Sequence, residues 1–160
     1  MKIIVLTQTQ YKNYSNIHNE RNFGQTIEYS LLEENRSLKK LFLGLIDESN
    51  NLYAATLLLI KNISPSIKEA YAPNGFLIDY SNFDLVKTFT DELTKYLKNE
   101  KITYLITNPM FKYRIFNKKN IQIENNQNIL DNLIKLDYKP IGYSSDFGKY
   151  DIIIEAIQRG

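Results

Sequence analysis

The chain has 160 residues, 43% hydrophobic and 24% charged, which suits one globular core and would crowd two full domains. Twenty Lys and Arg against eighteen Asp and Glu leave a formal charge of +2, too small to imply a polyanion-binding surface by itself. With no cysteine and a single histidine, His18, the sequence excludes disulfides, thiolate nucleophiles and cysteine metal sites, and no metal is expected.

The opening Met1-Lys2-Ile3-Ile4-Val5-Leu6 is far shorter than the apolar region of a signal peptide, and no later run reaches the length of a membrane span. A cytoplasmic location is the expectation. Ile3 to Leu6 reads as a short buried strand, and the polar stretch Thr7 to Asn22 reads as either partly helical or loop. From Gly24 to Asn35, the spacing of Ile27, Leu31 and Leu32 predicts a helix with those residues on its buried face.

Leu41 to Ile46 and Leu52 to Ile60 flank Asp47-Glu48-Ser49-Asn50-Asn51, the pattern of a β-hairpin. The unbroken run Leu57-Leu58-Leu59-Ile60 predicts a central strand, because only a strand covered on both faces tolerates it. Ser64-Pro65-Ser66 marks Ile63 to Lys68 as a loop, and Phe76 to Tyr80 reads as a further strand. Leu85, Phe89, Leu93, Tyr96 and Leu97 share one face of a helix from Asp84 to Lys98. A strand from Ile102 to Thr107 ends at Pro109, and residues 112 to 128 read as an exposed loop. A second amphipathic helix comes next over 129 to 136, then strands at Lys139 to Tyr143 and Asp151 to Ile157. The order predicts an α/β (mixed α+β) domain over 1–160, a mixed central sheet with helices on both faces.

Five segments in order carry a resemblance: Phe23-Gly24-Gln25-Thr26, the hairpin Leu43 to Ile60, the stretch Tyr71-Ala72-Pro73-Asn74-Gly75-Phe76-Leu77-Ile78-Asp79-Tyr80, the helix after it, and Tyr104-Leu105-Ile106-Thr107-Asn108-Pro109. Together they resemble the first GNAT-like lobe of the Fem family, the aminoacyltransferases that build peptidoglycan cross-bridges. The resemblance implies a charged tRNA as aminoacyl donor, a muropeptide precursor as acceptor, and no resident cofactor. Complete family members use two such lobes, so a second lobe, absent from this chain, would come from another chain, a homo-oligomer or further sequence.

The resemblance also carries site residues. Asp79 and Tyr104 would be the polar participants in catalysis, and Arg36, Tyr71, Asn74, Gly75 and Asn108 would contact substrate, with Arg36 in the position that grips a diphosphate. Of these, Arg36, Tyr71, Asp79 and Tyr104 are expected to line or border one cleft. Each has a plainer role open to it: Gly75 in a tight turn, Asp79 as a helix or turn cap, the tyrosines at core edges, Asn108-Pro109 as a strand stop and Arg36 as a solvated helix end. The sequence departs from the family where Asn74 replaces an arginine, Phe76 a proline and Asn108 a carboxylate. An amide cannot accept a proton as a base at neutral pH.

Coenzyme A binding would need a glycine-rich loop whose amides open a helix. The place for it, Ser81-Asn82-Phe83-Asp84-Leu85-Val86, has no glycine and carries a carboxylate. Two classes of function remain: part of a cell-wall aminoacyltransferase, inactive alone, or a non-catalytic binding module derived from such a lobe. A small-molecule N-acyltransferase is the third reading.

Overall fold

The computed structural model describes residues 1–33, 38–110, 114–144 and 149–155. The elements run β1 Lys2–Val5, α1 Gln8–Ile17, a 3₁₀ turn at Phe23–Gln25, α2 Ile27–Glu33, β2 Lys39–Ile46, β3 Leu52–Ser64, β4 Ile67–Ala72, α3 Phe83–Asn99, β5 Tyr104–Thr107, β6 Arg114–Phe116, β7 Gln122–Asn125, α4 Gln127–Lys135, β8 Lys139–Ser144 and β9 Lys149–Glu155. Seven strands form one sheet in the order β1-β2-β3-β4-β5-β9-β8, while β6 and β7 pair separately. Within the large sheet β4 and β5 are parallel and the other pairs antiparallel, so the sheet is mixed.

β3 lies inside the sheet between β2 and β4, and Ala54 to Leu59 are buried without interruption, as the apolar run predicts. Alternate residues serve two cores. Ala54 and Leu58 meet Leu43, Leu45, Phe89, Leu93 and Leu133 on the α3/α4 side, whereas Ala55, Leu57 and Leu59 meet Phe42, Tyr11, Ile27 and Leu77 on the α1/α2 side. The β2–β3 turn is held by Asp47, whose carboxylate accepts the amides of Ser49 and Asn51 at 2.8 and 2.9 Å, with Asn50 at φ 64°.

Four local expectations are corrected. The helix expected over Gly24 to Asn35 is interrupted at Thr26, whose hydroxyl accepts the Tyr29 amide at 3.1 Å while its own amide returns to the Phe23 carbonyl. The described part of that helix buries Ile27, Ser30 and Glu33, leaving Leu31 48% and Leu32 62% exposed. β4 begins inside the expected loop, two residues past Pro65, and runs on to Ala72. Phe76 to Tyr80 is a largely buried loop that touches the sheet through a single bridge between Leu77 and Ala55. Residues 112 to 128 contain the hairpin β6–β7, closed by Asn117 accepting the amides of Lys119 and Ile121, rather than a loop throughout. α1 settles the open reading of Thr7 to Asn22, since Thr7 and Gln10 cap each other's backbone in a capping box.

Candidate functional site

β3 and β4 pair only from Leu59/Tyr71 outward to Ser64/Ile67, because β4 ends at Ala72 and the chain turns at Pro73. Further along β3, Leu77 bridges Ala55 through two backbone bonds of 3.1 and 3.0 Å. Between these contacts the backbone of Leu57 is met by the side chain of Gln25. The carboxamide oxygen accepts the Leu57 amide at 2.9 Å, and Nε2 donates to the Leu57 carbonyl at 3.4 Å and to the Pro73 carbonyl at 2.8 Å. The Tyr11 hydroxyl donates to the Gln25 carbonyl and to Oε1 at 2.7 and 3.0 Å, which fixes the amide from behind. Gln25 is fully buried, so every one of these bonds replaces water lost on folding.

Gly24 allows this approach. A Cβ on it would stand 2.7 Å from Asn74 Nδ2 and 2.8 Å from the Pro73 carbonyl oxygen. Asn22 adds a bridge, its Nδ2 donating to the Asn74 carbonyl at 3.1 Å while its Oδ1 accepts the Gln25 amide at 3.1 Å.

The loop after β4 is tied equally closely to the end of β5. Thr107 donates its hydroxyl to the carbonyls of Ala72 and Gly75 at 2.9 and 3.0 Å. Asn108 Oδ1 accepts the Asn74 amide at 2.6 Å and the Tyr71 hydroxyl at 3.4 Å. Asn74 sits at φ 51°, a left-handed conformation that asparagine tolerates better than most side chains. Tyr80 is buried beneath the loop and its hydroxyl oxygen accepts the Phe76 amide. Burial holds the Tyr80 hydroxyl well above its ordinary pKa, so it remains a protonated hydroxyl at neutral pH.

At the rim, His18 caps α1. Its Nδ1 accepts the Glu20 amide at 3.0 Å and its ring lies 5.2 Å from that of Tyr14. Burial lowers the His18 pKa, with the charge of Asp79 opposing that shift, and burial together with Asp79 raises that of Glu20. Asp79 itself is exposed and accepts from the Ser81 amide and hydroxyl at 3.0 and 2.5 Å, the bonds of a turn leading into α3.

A family model described as "FemAB family" matches residues 6–155.

The chain belongs to the FemAB family. Among its relatives, "Aminoacyltransferase FemA" of Staphylococcus epidermidis is 29% identical over 150 residues, covering 92% of this chain and 36% of the relative. The protein of the same name from Staphylococcus aureus (strain NCTC 8325 / PS 47) is 27% identical over 149 residues, again 92% of this chain and 36% of the relative. The chain therefore spans little more than a third of the length of these curated relatives. A crystal structure of FemX superimposes with a TM-score of 0.72 at 17% identity, over 90% of this chain and 33% of that one. An N-acetyltransferase from Staphylococcus aureus Mu50 gives 0.59 at 12% identity over 98% of both chains, which establishes a GNAT-type fold.

Within this FemAB lobe, the loop and strand ends bring Tyr71, Asn74, Gly75 and Asn108 together. Asp79 stands further along the same loop, beside His18 and Glu20. Tyr104 lies lower on β5, where its hydroxyl donates to Glu69 Oε2 at 2.9 Å. Arg36 lies outside the described residues. Gln25 as a site-building residue was not legible in the sequence beyond its place in Phe23-Gly24-Gln25-Thr26, and neither were Glu69, Glu20 and His18. Only the alternation of Glu69 with Tyr71 on one strand face offered a signal for Glu69.

Proposed function

We propose that this chain is the acceptor-side lobe of an aminoacyltransferase that modifies a peptidoglycan precursor, with charged tRNA as donor and a second lobe completing the site. The observation that carries the reading is the family match across residues 6–155, joined to a built junction at which Gln25, Asn74 and Asn108 hold the loop. Aminoacyl transfer needs an amine, an activated ester and their alignment, and much of its rate comes from positioning. A rigid loop between two strand ends supplies positioning. It does not supply a full set of charged groups around a nucleotide-linked precursor. The second lobe would come from a separate chain, from a second copy or from further sequence, and the assembled protein would work in the cytoplasm.

Asp79 and Tyr104 remain the polar groups of this lobe proposed for catalysis, with Arg36, Tyr71, Asn74, Gly75 and Asn108 proposed for substrate contact. The test is a chimera in which this chain replaces the first lobe of a staphylococcal FemA, assayed for transfer of a labelled aminoacyl group from charged tRNA to a lipid-linked muropeptide. Transfer above a chimera lacking the lobe supports the reading. A folded chimera that binds the precursor without transferring favours the second reading, a binding module. What speaks for that second reading is Asn108, whose oxygen is engaged by Asn74 and Tyr71 and whose amide offers no base.

A further inference from the structure

β4 and β5 present two different faces. Ala70, Ala72 and Leu105 point into the core beneath α3, whereas Glu69, Tyr71, Tyr104 and Ile106 are only half-buried on the opposite face. α1 and α2 cover β2 and β3 on that opposite side through Phe42, Leu57 and Leu59, and leave β4 and β5 partly open. The parallel register sets Glu69 beside Tyr104 and Tyr71 beside Ile106, so the Glu–Tyr pair lies at the start of β5, two residues along β4 from Tyr71 and four residues before Asn108.

The Tyr104 hydroxyl donates to one oxygen of Glu69, Oε2, at 2.9 Å. A carboxylate has about four lone-pair directions, and one neutral donor leaves room for a cation on the same group. Two phenol rings on the same face add a surface over which an ammonium group is stabilised. The charged neighbours in that row are Lys61, exposed on β3 opposite Glu69, and Glu155, exposed on β9 opposite Tyr104.

We propose that Glu69 holds the primary ammonium group of the acceptor on this open face, and that Tyr104 is a positioning residue that orients the carboxylate. This rests on the aminoacyltransferase reading, in which the lobe must hold an acceptor that carries a primary amine. It narrows the part proposed above for Tyr104 in catalysis to orienting this carboxylate, and it makes the exposed Lys61, the register partner of Glu69 on β3, a like charge that opposes ammonium binding there.

The test uses the isotope-labelled 160-residue protein and two probes, Nα-acetyl-lysine amide and the same molecule acetylated on Nε. Only the first carries an ammonium group, and it should shift the amide signals of Glu69, Tyr71 and Tyr104 saturably in the millimolar range. Glu69→Gln should weaken that binding by about tenfold, and Tyr104→Phe by a smaller factor at unchanged thermal stability. Lys61→Ala should tighten it. Equal binding of both probes, an unchanged affinity in Glu69→Gln, shifts confined to another face, or no binding at all overturns the proposal. The chimera separates this inference from the reading beneath it. Transfer with an unchanged acceptor KM in the Glu69→Gln chimera removes Glu69 and leaves the family function standing, whereas specific amine binding by an inactive chimera does the reverse.

Discussion

Gln25 completes β3 at Leu57, accepting its amide at 2.9 Å and returning an N–H to the Pro73 carbonyl at 2.8 Å. One side chain thereby occupies the place a strand partner would take. It also ties the segment before α2 to the loop after β4, so the geometry of the site is inherited from a structural amide.

Gln25→Ala should therefore cost about 2–4 kcal/mol, since it orphans the Leu57 amide in a fully buried place and opens a cavity. Tyr11→Phe, which keeps the ring stacked on Phe42 at 4.7 Å and removes only the hydroxyl, should cost about 1–2 kcal/mol. Denaturant unfolding of both single variants and the double variant checks this, and the double should fall short of the sum because the residues share a network.

Gly24→Ala is expected to destabilise by about 1–3 kcal/mol, because the added methyl meets the backbone carbonyl of Pro73 at 2.8 Å, which cannot swing away as a flexible side-chain end would. Amide signals of residues 73–76 should move more than those of α3. A thermal scan and a proton–nitrogen correlation spectrum give both readouts.

The two apolar helix faces should respond differently. Phe89→Ala removes a fully buried ring packed 4.9 Å from Phe76 and should cost about 3–5 kcal/mol. Leu32→Ser changes a side chain 62% exposed and should stay within about 0.5 kcal/mol. A large loss in Leu32→Ser would mean that α2 is turned the other way.

His18 predicts a pH dependence. Its pKa is lowered from the ordinary 6.5 by burial, so the folded state favours the neutral ring. The unfolded chain takes up a proton first as pH falls, and the contribution is fully present above 6.5 and declines below it. Glu20, raised from 4.5 by burial and by Asp79, pulls in the opposite sense as pH rises above 4.5. Stability of His18→Gln between pH 7 and 5 should lack the downward limb that His18 contributes. Nitrogen shifts of the wild-type ring should show the proton on Nε2, since Nδ1 accepts from Glu20.

Much of the fold was legible because its signals were periodic. The run at Leu57 to Ile60, buried through Leu59, and the buried stripe Phe89, Leu93 and Leu97 announced the central strand and α3. β4 was hidden because its buried positions are Ala70 and Ala72, small residues that carry little apolar signal, and Pro65 drew attention to the turn before it. Phe76, Leu77 and Ile78 looked like a strand because they are buried, yet their burial comes from a loop folded into the core. The buried face of α2 was hidden because Ser30 and Glu33 are its buried polar positions, and the Ser30 hydroxyl is satisfied locally by the Ile27 carbonyl at 2.6 Å. The site was legible as a set of segments. Its joints were not, because Gln25 and Leu57 are 32 positions apart and nothing local says that an amide will replace a strand.

If this lobe holds half of a site, the isolated chain should be inert. The purified 160-residue protein, supplied with charged tRNA and with nucleotide-linked or lipid-linked muropeptide, should transfer no label above background, with a full two-lobe enzyme as positive control. Asn108→Asp should remain inactive too. It keeps an oxygen able to accept the Asn74 amide, yet it adds a base without the groups that position substrate. Robust multiple turnover by the isolated chain would contradict the half-site reading and return Asp79 and Tyr104 to the centre of the chemistry.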